Sequence, residues 1–312
     1  MVLFDIFLYL ISFVAVWIGA GLIVVSVEDL SHKLNISSFA TSFFVLGILT
    51  SIPEAMVGVN ALVDNDPAIF VGNLIGASLV LFVLVIPILA ILGNGIILSH
   101  QLNSKKLLLS LLVIIAPVFL IIDNKVSYWE GVFLILLYFI LFYSIEKKKG
   151  LLEKIRDRIV DGKTHILVDS IKILIGVLIV FVASKIIVDK TIVFSEIIDM
   201  SPYLISLLVL SVGTNLPELS LAIRAVSLGK KEIALGDYVG SAAADTLMFG
   251  ILTIFHKGPI LLSDHFVRTL AFMFIGLASF YLFSRSKNDI SRKEGLILLL
   301  IYILFIFVET IN

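Results

Sequence analysis

The stretch Thr50-Ser51-Ile52-Pro53-Glu54 recurs in the second half of the chain as Thr214-Asn215-Leu216-Pro217-Glu218. Each copy places a carboxylate and a proline inside an apolar segment long enough to cross a membrane. A chain of two related halves, each with a broken apolar helix at the matching position, has the pattern of a secondary transporter whose site lies between its repeats. The doubled acid therefore predicts an ion transporter.

The shift in residue number that carries Glu54 onto Glu218, here called the repeat offset, continues beyond these two stretches. It aligns three further pairs: Gly72 with Gly236, Asn73 with Asp237, and Gly76 with Gly240. Glycines spaced as in these pairs allow close helix packing in a membrane. They are common in membrane bundles, but here they lie in register with the two glutamates. We therefore expect the following helix of each half to pack closely on the broken helix.

The composition is that of an integral membrane protein. Of 312 residues, 60% are hydrophobic and 15% are charged, and the mean hydropathy is +1.13, whereas soluble domains have roughly 25% charged residues. The net charge of -1 and the scatter of Lys and Arg over short loops indicate no nucleic-acid partner. The lack of cysteine excludes disulfides, thiolate metal sites and thiol catalysis.

Apolar runs of about 20 residues predict roughly ten transmembrane helices. They lie near residues 3–27, 38–62, 68–92, 106–122, 127–145, 167–188, 201–226, 233–255, 266–284 and 294–310. Five spans per half is an odd number, so the second half must enter the membrane from the opposite side. The predicted fold is an all-α integral membrane protein with two inverted five-helix repeats, residues 1–146 and 167–312, joined by a linker at 147–166.

The distribution of basic residues predicts the orientation in a cell (plasma) membrane. Lys and Arg concentrate in alternate loops, including the linker at 147–166, and the positive-inside rule makes these loops cytoplasmic. Both termini are then expected outside. The first apolar run continues past Val25 without a convincing cleavage site, which indicates a retained first span.

Several acids fall within the predicted spans. An ionised side chain at the bilayer centre costs about 2.5 to 3.5 kcal/mol, and Glu54, Glu218 and Asp245 all lie in spans. A lone acid of this kind can simply join helices by a hydrogen bond, but repetition in register makes that interpretation weaker for the glutamates. Asp237 lies closer to a helix end and is equally compatible with a site residue and with a solvated or capping acid.

The prolines before the glutamates predict a break in each helix. Pro53 and Pro217 lack an N–H group, so the carbonyls of Leu49 and Gly213 lose their usual helical partners. Freed carbonyls in a membrane are tolerated where they line a cavity or meet another partner, and a hard cation is such a partner. Side-chain oxygens within one turn are those of Thr50, Ser51, Ser211, Thr214 and Asn215. Back-bonding to the helix is the alternative role for these hydroxyls, and Gly47 is expected to leave space beside the first carboxylate.

This set of oxygens fits Ca²⁺, which takes 6 to 8 oxygen ligands at about 2.3 to 2.6 Å. Two glutamates balance a divalent charge, and their repulsion must be relieved by other cations or protons when the ion leaves. Exchange follows from that constraint. Mg²⁺ fits less well because it prefers strict octahedral geometry and keeps several waters. Zn²⁺ is disfavoured because all five histidines lie in loops or at span ends.

At these residues the chain resembles the cation/Ca²⁺ exchanger superfamily, specifically its prokaryotic Na⁺/Ca²⁺ exchangers, whose two repeats carry G-T-S-x-P-E followed by G-N-x-x-G-S. The resemblance covers the whole chain in span number and layout. It implies that Glu54, Glu218, Thr50 and Thr214 coordinate Ca²⁺. It also implies that Na⁺ sites draw on Gly47, Ser51, Ser211, Asn215, Ser241 and Asp245. The register of the glycine pairs, independently of the resemblance, predicts that Asn73 and Asp237 face the site.

The chain departs from the family pattern at four positions. Ala77 stands where the family usually has Ser, and Leu81 where it has a polar Asn or Asp. Asn215 replaces the usual Ser, and Asp237 the usual Asn. The central glutamates are kept, which favours a divalent substrate, while both Na⁺ and H⁺ stay open as the counter-ion. The resemblance implies transported ions and no cofactor, and the oligomeric state is not predicted.

Two other classes of protein share part of this pattern. Leu235-Gly236-Asp237 and Asp245 suggest an intramembrane aspartyl protease, but the matching positions in the first half are Asn73 and Leu81, which cannot share a proton as an acid dyad does. A passive channel usually draws its selectivity from a ring of groups, whereas a single inverted repeat favours a carrier.

Overall fold

The computed structural model describes residues 2–34, 38–63, 65–97, 104–146, 164–195, 207–208, 211–256, 258–262, 267–286 and 289–310. Most of these residues are helical. The helices are α1 (Val2–Leu34), α2 (Ser38–Thr41), α3 (Gly47–Thr50), α4 (Ile52–Val63), α5 (Pro67–Val80), α6 (Ile86–Leu92), α7 (Ser104–Leu120), α8 (Tyr128–Glu146), α9 (Thr164–Ser195), α10 (Ser211–Thr214), α11 (Leu216–Ser227), α12 (Lys231–Phe255), α13 (Val267–Ser286) and α14 (Arg292–Thr310). Two π-helical segments, Ser42–Leu46 and Leu81–Val85, and a 3₁₀ turn, Ile121–Asp123, connect some of them.

Five stretches of the described residues are long and apolar enough to cross a membrane. They are Ser42–Val63, Pro67–Leu92, Lys105–Asp123, Tyr128–Ile145 and Ile233–Phe255. Helices α1, α9, α13 and α14 coincide with four further predicted spans. The span predicted at 201–226 starts outside the described residues and continues as α10 and α11, and most of the linker predicted at 147–166 also lies outside them.

The first helices of the two halves, α1 and α9, form an antiparallel pair. They have 33 and 32 residues, which at about 1.5 Å per residue is longer than the ~30 Å hydrocarbon core. A methyl group at Gly19 would lie 2.9 Å from the carbonyl oxygen of Gly176, and one at Gly176 would lie 3.0 Å from that of Gly19. The contact of Gly19 with Val180 mirrors the contact of Gly176 with Ile23, so the two helices run in opposite directions.

Helix α12 lies at the centre of the bundle, where it contacts α3, α4, α5, α7, α8 and α11. Its residues Ala242, Ala243 and Ala244 are fully buried. Aromatic rings fill the space around it, as where Phe70 meets Phe249 edge to face with centroids 5.7 Å apart. The outer surface of the bundle is apolar as well. Trp129 and Phe255, for example, are 75% and 74% exposed, as expected of side chains that face lipid.

Two short β-ribbons are related to each other by the repeat offset. Strand β1 (Ile96–Ile97) pairs antiparallel with β4 (Asp289–Ile290), and β2 (Lys125–Val126) pairs with β3 (Ile260–Leu261). The offset converts β1 into β3 and β2 into β4. Each ribbon therefore joins one half of the chain to the other, and the two ribbons are equivalent.

Capping interactions follow the same offset. The Ser127 amide donates to Glu130 at 2.6 Å before α8, and the Ser291 amide donates to Glu294 at 2.8 Å before α14. Each serine hydroxyl also bonds the same carboxylate, so both helices begin with a side chain that satisfies free backbone donors. The two halves are thus related in local hydrogen bonding as well as in helix order.

The paired glycines pack on the opposite half rather than on their own broken helix, which corrects the expected partner. A methyl group at Gly76 would lie 2.6 Å from the carbonyl oxygen of Leu207. One at Gly240 would lie 2.9 Å from Cα of Phe43, and Phe43 and Leu207 are themselves related by the repeat offset. Close packing therefore occurs at the boundary between the repeats.

Candidate ion-binding site

Both helices are interrupted at the residue before the Ile-Pro or Leu-Pro pair, as the prolines predict. Ser51 has φ -77° and ψ 3°, and Asn215 has φ -84° and ψ 4°. The next helix starts one residue later in each case, with its proline in the first turn. Glu54 and Glu218 consequently lie in the first turns of α4 and α11, where the helix dipole stabilises a negative charge.

A π-helical turn precedes each break. It covers Ser42–Leu46 in the first half, and Leu207 and Leu208 have the same geometry in the second. Single π turns are often found at functional sites because they shift the side-chain register of a helix. Helices α3 and α10 end at the breaks, and the negative end of a helix dipole favours cations.

The two glutamates are buried between the halves, Glu54 being 1% and Glu218 0% exposed. The Ser241 hydroxyl donates to Oε1 of Glu218 at 3.1 Å. The Thr214 hydroxyl lies near the Glu54 carboxylate. In each glutamate the Oε2 atom has no hydrogen-bond partner among the described residues, so one oxygen per carboxylate is available to a cation.

Two threonines form equivalent contacts across the boundary. Thr50 donates to Oδ1 of Asp237 at 3.1 Å, and Thr214 donates to Oδ1 of Asn73 at 3.4 Å. Thr50 also contacts the carbonyl of Leu46 at 2.9 Å. Asp237 is fully buried, so it is not the solvated or capping acid that its sequence position allowed.

Smaller polar groups surround the acids. The Ser51 hydroxyl lies 3.0 Å from that of Ser241 and 3.0 Å from the carbonyl oxygen of Gly47. Ser78 donates to Oδ2 of Asp245 at 3.3 Å. Asn215 donates to the carbonyl of Ser211 at 2.6 Å, and Ser211 itself back-bonds to Leu207. A hydroxyl that donates its proton to the helix backbone keeps lone pairs for an ion. The same side chain can therefore bond the backbone and line the site.

Gly47 has a different role from the one expected. A methyl group there would lie 2.7 Å from Cα of Gly240 and 2.7 Å from the amide nitrogen of Ser241. The missing side chain admits the backbone of α12 rather than leaving open space beside Glu54. This contact also brings Ser241 next to Ser51.

Four carboxylates interact through space. Glu54 interacts electrostatically with Asp245 and Asp237, and Glu218 interacts with Glu54, Asp237 and Asp245. No three acids or histidines of the described residues are gathered tightly enough to hold a metal ion by themselves. Any cation bound here must therefore be coordinated by one or two carboxylates together with neutral oxygens. This is a common ligand set for Ca²⁺ and Na⁺.

Tyr238 was not anticipated from the sequence. Its side chain is 1% exposed, interacts electrostatically with Asp237 and Glu218, and its hydroxyl has no partner within the described ranges. It follows Asp237 directly, but a tyrosine in an apolar helix is usually a core residue. Its closeness to the acids depends on how α12 packs, which no local pattern reveals.

The two halves of the chain are both matched by the family model of the sodium/calcium exchanger protein, over residues 4–145 and 171–311. An uncharacterized membrane protein of Methanocaldococcus jannaschii is 27% identical over 299 residues, covering 96% of this chain and 95% of its own. The sodium/calcium exchanger MaX1 of Methanosarcina acetivorans is 23% identical over 335 residues, covering 93% and 94%.

A solved structure of the sodium-calcium exchanger NCX_Mj, soaked with 2.5 mM Na⁺ and 0.1 mM Ca²⁺, has a TM-score of 0.82 at 25% identity and covers 100% of both chains. Together with the family match in both halves, this confirms the predicted fold class, an all-α membrane protein built from two repeats. The chain belongs to the sodium/calcium exchanger protein family.

Proposed function

We propose that this protein is a secondary antiporter that exchanges Ca²⁺ for Na⁺ across a cell membrane. The observation that carries the proposal is the pair Glu54 and Glu218, two buried carboxylates at equivalent helix breaks, each with an unpaired oxygen. Two unpaired buried charges are expensive in a membrane. A bound cation removes that cost, so the ion-free site must be refilled before the transporter can change sides.

Ca²⁺ is bound between the two glutamates near the middle of the membrane. Thr50 and Thr214 add hydroxyl oxygens, and the carbonyls at the helix breaks add further ligands. Na⁺ competes for the same two glutamates with help from other residues that have side-chain or backbone oxygens. These are Gly47, Asn73, Ser51, Ser211, Asn215, Asp237, Ser241 and Asp245. Because both ions need the same acids, occupancy by one excludes the other.

The helix pair α1 and α9 is the element that alternates. Ile23 of α1 and Val177 of α9 line an apolar cavity that also borders Thr50 and Pro217. Sliding of this pair over the remaining helices would expose the site to one side and then to the other. The guanidinium of Arg224 lies 5.4 Å from the ring centroid of Trp17 and links α1 to α11, so this contact must change as the pair moves.

In this scheme residues 1–146 and 167–312 are the two repeats. The connection at 147–166 is cytoplasmic and both termini face outside, because the basic loops lie on the cytoplasmic side. The lipid bilayer and the transported ions are the partners. The protein carries out transport rather than catalysis and uses no cofactor.

Coupling to H⁺ is the second candidate function. It is favoured by Leu81 and Ala77, which supply no polar group to the first half, and by four buried carboxylates that protons could neutralise. In that case the glutamates would exchange Ca²⁺ or another cation for protons.

Uptake of ⁴⁵Ca²⁺ into proteoliposomes distinguishes these functions. One set of vesicles is loaded with Na⁺, and a second set has an acidic interior and no Na⁺. We expect uptake in the first set and none in the second. Uptake driven by the pH gradient alone would mean that the counter-ion is H⁺ and not Na⁺. Absence of uptake in both sets would contradict Ca²⁺ as the substrate.

A further inference from the structure

Helix α1 is joined to the end of α11 and to the turn after it by aromatic and charged side chains. The guanidinium of Arg224 lies 5.4 Å from the ring centroid of Trp17. A methyl group at Gly21 would lie 3.0 Å from Nε of Arg224, so the missing side chain admits the arginine. Lys230 forms an ion pair with Glu28. Trp17, Gly21 and Glu28 are spaced to share one side of α1, so these contacts together fix one position of α1 along α11.

Both links lie between the ion site and one face of the membrane. Arg224 lies beyond Glu218 on α11, and Lys230 immediately precedes α12. The turn between α11 and α12 is one of the basic loops that the positive-inside rule makes cytoplasmic. The links therefore hold α1 against the segment that separates the glutamates from the cytoplasm.

The residues at the equivalent positions of the other half cannot form the same links. The repeat offset aligns Arg224 with Asn60, which carries no positive charge for an aromatic ring to attract. It aligns Lys230 with Asp66, and the partner of Lys230 on α1 with Ile192. An aspartate and an isoleucine do not make an ion pair. The contacts that hold α1 on the cytoplasmic side thus have no counterpart at the equivalent residues on the outer side.

The strength of these links suits a contact that breaks and forms again. The Nε atom of Arg224 is buried and has no hydrogen-bond partner among the described residues. Such a donor is unfavourable, so water that reaches it when α1 moves away recovers part of the lost attraction to Trp17. Glu28 and Lys230 are both partly exposed, and ion pairs of this kind are weak. Together the links shift the balance between two positions of α1 without preventing the change.

We infer that Trp17, Glu28, Arg224 and Lys230 form a cytoplasmic latch that favours the position of α1 in which the site is closed to the cytoplasm. This inference rests on the proposed exchange function, in which α1 and α9 move, and adds a direction to it. The site should open to the outside more readily than to the cytoplasm. Ions should consequently bind with lower apparent affinity from the cytoplasm, because the conformation that admits them there is less populated.

Two alanines provide matched reporters of access from the two sides. Ala225 lies about two turns beyond Glu218 on the same face of α11 and is fully buried. The repeat offset aligns it with Ala61, which is also buried. Because the chain has no cysteine, a single introduced thiol reacts without background. Ala225→Cys should react with a water-soluble maleimide when the site opens to the cytoplasm, and Ala61→Cys when it opens to the outside.

The test is the labelling rate of each reporter in the purified protein in lipid nanodiscs, with and without the change Trp17→Leu. Loss of the cation–π contact should raise the rate at Ala225→Cys by roughly two- to thirty-fold. The rate at Ala61→Cys should not rise. Arg224→Gln breaks the same contact from the other helix and should act in the same direction.

The ion pair and a control variant complete the test. Lys230→Gln should raise the rate at Ala225→Cys by up to about five-fold, and exchange of the two charges in Glu28→Lys with Lys230→Glu should restore the slow rate. The control is Arg285→Gln, because the guanidinium of Arg285 lies 5.7 Å from the ring of Tyr281 within the single helix α13. This variant should leave both labelling rates unchanged.

The outcomes separate the latch from the proposed function. An unchanged rate at Ala225→Cys in both Trp17→Leu and Arg224→Gln would overturn the latch. Equal acceleration at Ala225→Cys and Ala61→Cys would also overturn it, since that result means a general loosening of the bundle. If Trp17→Leu is poorly folded, Trp17→Phe weakens the contact with a smaller ring and is held to the same direction of change. Labelling needs no ion gradient, whereas failure of the unaltered protein to take up ⁴⁵Ca²⁺ against internal Na⁺ would overturn the proposed function.

Discussion

The two halves of this protein share a scaffold but differ in the charges that it carries. Glu54 and Glu218 occupy equivalent first turns, and the helix breaks, the ribbons and the capping serines all recur at the repeat offset. In contrast, the polar positions after the break are Asn73 and Leu81 in one half and Asp237 and Asp245 in the other. In the proposed exchanger, the symmetric scaffold opens the site to either side, while the asymmetric acids determine which ions are bound.

The largest effect is expected at the shared glutamates. Replacing Glu54 or Glu218 by Gln removes a charged ligand, and loss of one partner in a buried charged site costs roughly 3 to 5 kcal/mol, more than about 100-fold in affinity. Ca²⁺ transport should be abolished by either change. The measurement is ⁴⁵Ca²⁺ flux, with Glu309→Gln as the control, because Glu309 is a buried acid that bonds Thr269 outside the site. Normal flux in both glutamate variants would refute the site.

A more selective effect is expected where the halves differ. Asp245→Asn should change the dependence of exchange on the coupling ion and leave part of the Ca²⁺ exchange, because both glutamates remain. Ion competition in proteoliposomes measures this. Complete loss of Ca²⁺ binding in this variant would mean that Asp245 is a Ca²⁺ ligand rather than a counter-ion ligand.

The glycines at the boundary test whether the scaffold is equivalent in the two halves. Gly76→Ala and Gly240→Ala each direct a methyl group at the backbone of the opposite half. Such overpacking typically costs about 1 to 3 kcal/mol. Thermal unfolding in detergent should show a lower midpoint for both variants. A loss in one variant only would show that the halves tolerate separation to different degrees.

The smallest effect is expected at the two capping boxes. Glu130→Ala and Glu294→Ala each remove the acceptor for a serine amide and hydroxyl. Losing such a cap costs about 1 kcal/mol, and equivalent positions should lose equal amounts. Unfolding midpoints that differ clearly between the two variants would contradict the equivalence of α8 and α14.

Much of this arrangement could be predicted from the sequence because it depends on local chemistry. Proline removes a backbone donor wherever it stands, so the breaks before Glu54 and Glu218 followed directly. The repeat offset then predicted which residues are equivalent. Contacts between the halves could not be predicted in this way, since they depend on helix packing. Gly47 admits α12 instead of leaving a space, and Tyr238 reaches the acids from an apolar helix.

The character of Asp237 was also beyond the sequence. Its position near a helix start was compatible with a capping acid, and only the packing of α12 against the Thr50 hydroxyl buries it. The burial of a polar residue depends on what covers it, and here the cover comes from a segment 187 residues away in the chain.

Equilibrium binding of ⁴⁵Ca²⁺ to the purified protein, with and without Na⁺, tests most directly that one buried glutamate pair holds both ions. The unaltered protein should bind Ca²⁺ and release it as Na⁺ is raised, whereas Glu54→Gln and Glu218→Gln should each fail to bind it. Ca²⁺ binding that persists in both variants, or that Na⁺ does not displace from the unaltered protein, would contradict a shared site between the two halves.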